Sequence, residues 1–457
     1  MPGIMRYIDP NDPYRNGSMS DPFKERQDRA DAYKKRRKYY DGEHKRFLDK
    51  AENEPDDNVI VNIFKQAVDR TLSFLFPAMP FLELAPHETQ ETPEERWFRQ
   101  AWEYAGGIFF LTELGLNGAL SGHNYVRVLP LRTGEVFPRL INLNPESVIT
   151  FWRSDDVDTV VWHEISWDVT DGKKTTYYIL DVINNDDYWE LVQYVSINGS
   201  NWEIDGEIET WDHPVGPIVQ WKHFPNPNRF YGKDEGGHLG LNDKVNLILS
   251  ENARINRYHS SPKTIATGVS SEDVVPSNIN DLWTIESSDA AVFNLEMMSE
   301  LAAAQQLAVN LAENFLAESR VVILRGDVKD FQRVTNTGVR TVFMDMLAKN
   351  VLLRWEYGKG IQDICRVMSL VAGKGELIPD IVHQDPLPTD DLERVNVAAI
   401  ERAMKIVSRR TISGKRGYNW DEELERQEAE EANPIFAAPQ TGGSDEGLNA
   451  PQVNGSE

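Results

Sequence analysis

"RVTNTGVRTVFMDMLAKNVLLRWEYG", residues 333–358, opens on a short polar turn and then reads as one long helix reaching about Val371. Just before it stand "LRGDVKDFQ" (324–332) and an alanine-rich helix over 296–317. Arg320, Arg325, Lys329, Arg333 and Arg340 thus gather in and around a connection between two helices, in a chain whose 73 acidic residues outnumber its 48 basic ones. The alanine-rich helix places Leu301, Ala304, Ala308, Leu311 and Phe315 at alternating three- and four-residue spacing, a narrow seam suited to packing against other helices. The plainer role of Arg320 and Arg340 is to pair with acids near the helix ends, such as Glu318 and Asp345.

Working outward, residues 1–20 show no periodicity and read as a loose arm. A helical pattern runs from Asp21 to Phe47 and carries the basic run "KKRRKYY" (34–40), which reads as a solvated face. "NVIVNIFKQAVDRTLSFLFPAMPFLEL" (58–84) is a second helix, closed by Pro77 and Pro80. The stretch from Thr92 starts a third, with Thr92 as cap, Pro93 in the first turn and Glu95 at the third position. Between about 123 and 224 the period changes to two. "NYVRVLPL", "TVVWHEISW", "TTYYILDVI", "YWELVQYVSI" and "PIVQWKHF" read as strands of an antiparallel block, while 197–212, with Trp202 and Trp211, has no clear place. Helix returns over 239–259, followed by a short β segment within 262–295. A helix after a proline-rich strand and an acidic helix, "NWDEELERQEAEEAN", precede a Gly/Pro/Asn/Ser tail from Pro434. The class expected is α+β.

Composition removes several kinds of chemistry. One cysteine, Cys365, allows neither an intrachain disulfide framework nor a cysteine zinc cluster. The patterns GxxxxGK[ST], HExxH and GxSxG are absent, so nothing points to a nucleotide loop, a zinc protease or a serine hydrolase. Nine scattered histidines form no ligand spacing, and acid pairs such as Asp155-Asp156 and Asp186-Asp187 sit in turns. No enzyme activity, cofactor or metal is expected. Neither a secretory leader nor an apolar run of membrane-spanning length is seen, so no membrane partner is expected either. A net charge of −25 argues against a DNA binder that relies on broad phosphate neutralisation, but does not exclude a protein that must let DNA slide past without sticking.

The order of several stretches resembles a known family. "YYDGEH" (39–44) is followed by "VNIFKQAVDRTLSFLF", "GHNYVRVLPLRTGE" and "LNPESVITFW". Then come "HPVGPIVQWKHFPNPNRFYGKDEG" and "DPLPTDDLERVNVAAIERAMKIVSRRTISGKRGYNWDEELERQEAEE". Together, over about residues 25–432, they look like the portal protein of tailed double-stranded DNA bacteriophages. The turn "NTGVR" departs from the Ser-Gly often found in that family before the long helix.

The resemblance implies a homo-oligomeric ring, typically of twelve subunits, at one capsid vertex of the virion, assembled in the host cytoplasm. Double-stranded DNA would pass through its axial tunnel. The implied partners are the large terminase subunit, the major capsid and scaffolding proteins, and the head–tail adaptor proteins. The implied divisions are a flexible arm (1–20), a wing (21–236), and stem helices at 237–259 and 296–317. A clip (260–295), a tunnel loop (318–337), a long wing helix with its connection (338–384), a crown (385–432) and a disordered tail (433–457) complete them. Arg325, Lys329 and Arg333 would touch DNA, the seam would pack the stem, and Glu272, Asp273, Val274 and Val275 would dock the motor. The competing readings are another head–tail connector or adaptor ring and, far behind, a hydrolase with cryptic carboxylates.

Overall fold

The computed structural model describes residues 22–50, 55–84, 91–152, 156, 158–197, 199, 201–227, 229–260, 263–267, 291–295, 301–323, 336–387, 398–405, 408, 412 and 420–431. It is an α+β chain with two compact units, residues 1–84 with 94–388 and residues 85–93 with 389–457. The smaller unit contains the acidic helix Trp420–Glu431, at the place expected from sequence.

In the larger unit, helices α1 (Pro22–Tyr40) and α2 (Ile63–Leu75) precede a short strand β1 (Phe81–Glu83). Helix α2 buries Phe64, Ala67, Val68, Leu72 and Leu75 at helical spacing, and Asn62 caps it by accepting from Lys65 N at 2.9 Å. The run from Thr92 onward is two helices, α3 (Pro93–Tyr104) and α4 (Ile108–Ser121). They part at Gly106 and Gly107, whose φ values of +112° and +59° end the first helix. Glu95 is a buried side chain and accepts from Leu84 N at 2.6 Å, tying α3 to the end of β1.

The antiparallel block follows with strands β2 (His123–Val128), β3 (Leu140–Asn142), β4 (Val148–Trp152), β5 (Val160–Asp171), β6 (Lys174–Asn184) and β7 (Trp189–Ser196). Next come β8 (Glu203–Ile204), β9 (Glu209–Trp211) and β10 (Ile218–Lys222). Strands β4 to β8 form one sheet in sequential order with β9 beside β7, while β10, β2 and β3 form another. Residues 197–212, unplaced in sequence, thus supply the two short strands on β7. Trp211 is buried there and donates from Nε1 to Val215 O at 2.8 Å. On one sheet face Ile165, Leu180, Val182 and Leu191 join the main core with Phe98, Trp102 and Tyr125.

Helix α5 (Leu239–Ser260) leads to a paired hairpin, β11 (Lys263–Thr267) with β12 (Ala291–Leu295), and then to α6 (Leu301–Glu318), which packs along α5. The stretch expected to be a turn and one helix is instead two helices, α7 (Asn336–Val342) and α8 (Met344–Val371). They break at Phe343, which is buried against Phe74 and Met346, its ring 5.4 Å from that of Phe74. The aromatic anchor turns the chain where periodicity alone would continue it. Helix α8 supplies Leu353, Tyr357, Ile361, Ile364 and Met368 to the main core. Strand β13 (Asp380–Val382) then pairs antiparallel with β1. No helix among the described residues is long and apolar enough to cross a membrane.

Candidate functional site

Arg325, Lys329 and Arg333 lie outside the described residues, as do Glu272, Asp273, Val274 and Val275. What is described is how the chain enters and leaves the basic segment. Helix α6 ends in a left-handed turn at Arg320, whose φ is +53°. Val321 N donates to Leu316 O at 2.9 Å and Arg320 N to Ala317 O at 2.9 Å, the two bonds of a Schellman motif. Val321 and Leu316 are buried in one core cluster, the apolar contact that accompanies such a cap. Arginine stands where glycine is usual, so packing around the turn holds a backbone that costs about 1 kcal/mol.

The exit is held by α8. Lys349 is 3% exposed, and its Nζ donates to Thr71 Oγ1 at 2.9 Å, to Ser319 O at 3.0 Å and to Glu235, 2.7 Å from Oε1. These partners saturate its three protons. A cation on Ser319 O also satisfies an orphan carbonyl at the C-terminus of α6. The next residue, Asn350, and Arg354 one turn beyond it donate to Phe74 O at 2.9 and 3.2 Å, closing the end of α2 in the same way. Three polar residues of α8 therefore clamp the ends of two other helices.

Behind Glu235 the network continues inward. His223 Nε2 lies 3.5 Å from Glu235 Oε1, and its Nδ1 is 2.8 Å from the hydroxyl of Tyr357, which also receives Asn124 Nδ2 at 3.1 Å. Burial pushes the Glu235 carboxyl up, but the Lys349 charge and the His223 bond outweigh it and hold it below its ordinary value. Burial lowers His223, so its imidazole stays neutral and can serve as a hydrogen-bond relay. Gly118 makes room for this cluster, since a methyl there would lie 2.6 Å from Asn124 Nδ2 and against the Tyr357 hydroxyl.

A cleft of about 310 Å³ opens beside the pair, walled by Arg320, His238, Glu318, Lys349 and Leu352. Sequence offered Glu318 to Arg320 and Asp345 to Arg340. Instead Glu318 binds His238 Nδ1 at 2.6 Å and Arg340 pairs with Asp385. Arg320 makes no ion pair among the described residues.

The seam positions of α6 divide. Ala308 and Phe315 are buried, and Phe315 sits in a core with Val68, Leu120 and Val245 of the same chain; Leu301, Ala304 and Leu311 are half-buried. Ala312 and Leu316, which the narrow seam omitted, are buried beside them. Sequence reading also missed a ladder on α5. Asn242 accepts from Ile63 N and Phe64 N at 2.9 and 3.1 Å, Asn246 from Val61 N at 2.9 Å, and Ser250 from Val59 N at 2.9 Å. Arg254 and Arg257 finish it on Asp57, at 3.3 and 2.7 Å. The signal was legible as polar residues at every fourth position, 242, 246, 250 and 254, on a helix of apolar neighbours. Among the described residues no group of three or more His, Cys, Asp or Glu side chains could hold a metal ion.

No curated protein matches the chain. Among solved structures, the chain is similar to a protein of the virion of a native gene transfer agent particle, with 12% identity and a TM-score of 0.45, over 78% of this chain and 89% of the other. It is also similar to one from the neck of an empty gene transfer agent particle computed with C6 symmetry, with 14% identity and a TM-score of 0.43, over 78% and 90%. The model of the family described as "Phage portal protein, SPP1 Gp6-like" matches residues 22–434, which take in the α5–hairpin–α6 excursion, the basic segment and the clamp on α8. The chain belongs to the SPP1 Gp6-like family of phage portal proteins.

Proposed function

We propose that the protein is the structural, non-catalytic ring at one vertex of a phage capsid. Its axial channel passes double-stranded DNA during packaging and ejection. The ring, of twelve subunits, docks the large terminase subunit during packaging and the head–tail adaptor proteins afterwards, and is set among the major capsid and scaffolding proteins. The observation that carries this is the extent of the family match, residues 22–434. In this assignment α5 and α6 are the stem and the β11–β12 hairpin belongs to the clip, whose residues 272–275 meet the motor. Residues 318–337 are the tunnel loop, and residues 385–432 form the crown.

Charge supports a channel that slides. Twelve chains of −25 make a field that opposes tight phosphate binding over most of the ring. Arg325, Lys329 and Arg333 are the cations that touch DNA, each contact contributing no more than about 1 kcal/mol, as an exposed ion pair does. They centre and retain DNA without halting it, irrespective of sequence.

Negative-stain imaging of the purified protein tests the assembly: rings with a central hole are expected, and particles without one overturn it. Lys329→Ala combined with Arg333→Ala tests the loop. Rings and motor docking should persist while the length of DNA retained per capsid falls equally for different sequences. Normal retention would remove DNA contact from those two side chains.

A further inference from the structure

Over its first three turns helix α8 carries large apolar side chains outward as well as inward. Its inner side carries Met346 and Leu353 into the cores. Its outer side leaves Met344, Val351, Leu352 and Trp355 exposed at 63, 65, 46 and 77%, with an exposed Ala348 among them. These positions follow an i, i+4, i+7, i+8, i+11 pattern from Met344 and so form one stripe. A stripe of four large apolar side chains is unlike the single hydrophobes scattered on ordinary surfaces and marks a contact.

A second face with the same character lies on α6. Opposite its buried Ala308 and Ala312, the helix exposes Ala303, Leu307, Asn310, Asn314 and Ala317, none of them charged, with Leu307 at 51%. Both faces are unusual in a chain of which 26% is charged.

We propose that the two faces are the halves of one subunit contact: the α8 stripe of one subunit receives the outer face of α6 from the next copy. This rests on the ring assigned above and names the surfaces that close it. A closed ring needs a heterologous contact, hence two different complementary patches on each chain. Copies that each carry −25 repel, and approach is least opposed where both surfaces lack charge. The stripe offers nothing to a phosphate backbone, which excludes DNA as its occupant. At its edge Leu352 shares a cleft with Arg320, whose charge is unpaired among the described residues and attracts the acidic neighbour.

Three variants test the contact: Val351→Glu with Trp355→Glu, Leu307→Glu alone, and Leu307→Cys with Trp355→Cys. The glutamates replace exposed side chains, so circular dichroism and the unfolding midpoint should match the wild type. Native mass spectrometry and negative stain should show rings replaced by monomers and small oligomers. On mild oxidation the double cysteine variant should run as a ladder of cross-linked subunits on non-reducing gels, while each single cysteine variant should not. Intact rings in both glutamate variants overturn the proposal, since the stripe then faces another partner. Loss of rings without the cross-linked ladder overturns α6 as the opposing half. Absence of rings from the wild type is a separate outcome and refutes the ring itself.

Discussion

Lys349 Nζ and Glu235 Oε1 lie 2.7 Å apart, with their side chains only 4 and 8% exposed and their positions 114 apart in sequence. The pair joins α8 to the loop that precedes α5, and through Ser319 to the end of α6. Helix α6, which leads into the basic segment, and α8, which follows α7 beyond it, meet at this one cation.

Removing either charge leaves the other buried and unpaired. Glu235→Gln and Lys349→Met should each cost about 3–5 kcal/mol in urea unfolding of the subunit. The double variant should cost clearly less than the sum, because neither charge is then stranded. Additive losses would show that the two groups are stabilised separately.

Arg320 holds a left-handed backbone that glycine adopts freely. Arg320→Gly should raise stability by up to about 1 kcal/mol, and Arg320→Val should lower it by at least as much. Denaturant midpoints at constant m-value measure both. A loss in the glycine variant would mean that the arginine side chain contributes more than its backbone costs.

Gly118 faces the Tyr357, Asn124 and His223 cluster without a Cβ. Gly118→Ala should destabilise by about 1–3 kcal/mol through overpacking, despite the higher helix propensity of alanine. Unchanged stability would mean that α4 shifts to accommodate the methyl.

The subunit should be labile to acid. Burial lowers His123 and His163 to about 3, and His383 to about 4. Their unfolded value is near 6.5, so the folded chain binds fewer protons in the interval between. Stability from these groups is complete above about pH 6.5 and falls as pH drops toward the folded values, by roughly 2 kcal/mol per imidazole at pH 5. Glu235, held below its ordinary value, adds a loss of the same sign at lower pH. Urea midpoints between pH 8 and 5 should therefore decline, and His163→Gln should make the decline shallower. A flat profile would show that the imidazoles are hydrated and ordinary.

Much was written in local pattern. The period-two runs after residue 123 became β2, β5, β6, β7 and β10, and the helices expected over 239–259 and 296–317 are described as α5 over 239–260 and α6 over 301–318. Those signals are strong because each side chain's burial depends only on the helix or strand period. Local pattern also carried the charge balance and the absent nucleotide loop, while the resemblance to portal proteins lay in the order of several longer stretches. It could not foresee the break at Phe343, since that depends on Phe74, an aromatic far away in sequence. Nor could it pair Arg340 with Asp385 in place of Asp345, or gather Thr71, Glu235 and Ser319 around Lys349. A lysine in a helical run reads as solvated until the fold brings three acceptors to it from separate elements. The same holds for α6: spacing identified one apolar seam, but only tertiary packing decided that Ala308 and Phe315 face the subunit's own core and Leu307 faces outward. Periodicity is a property of one helix, whereas which side faces a neighbour depends on what the rest of the chain has already covered.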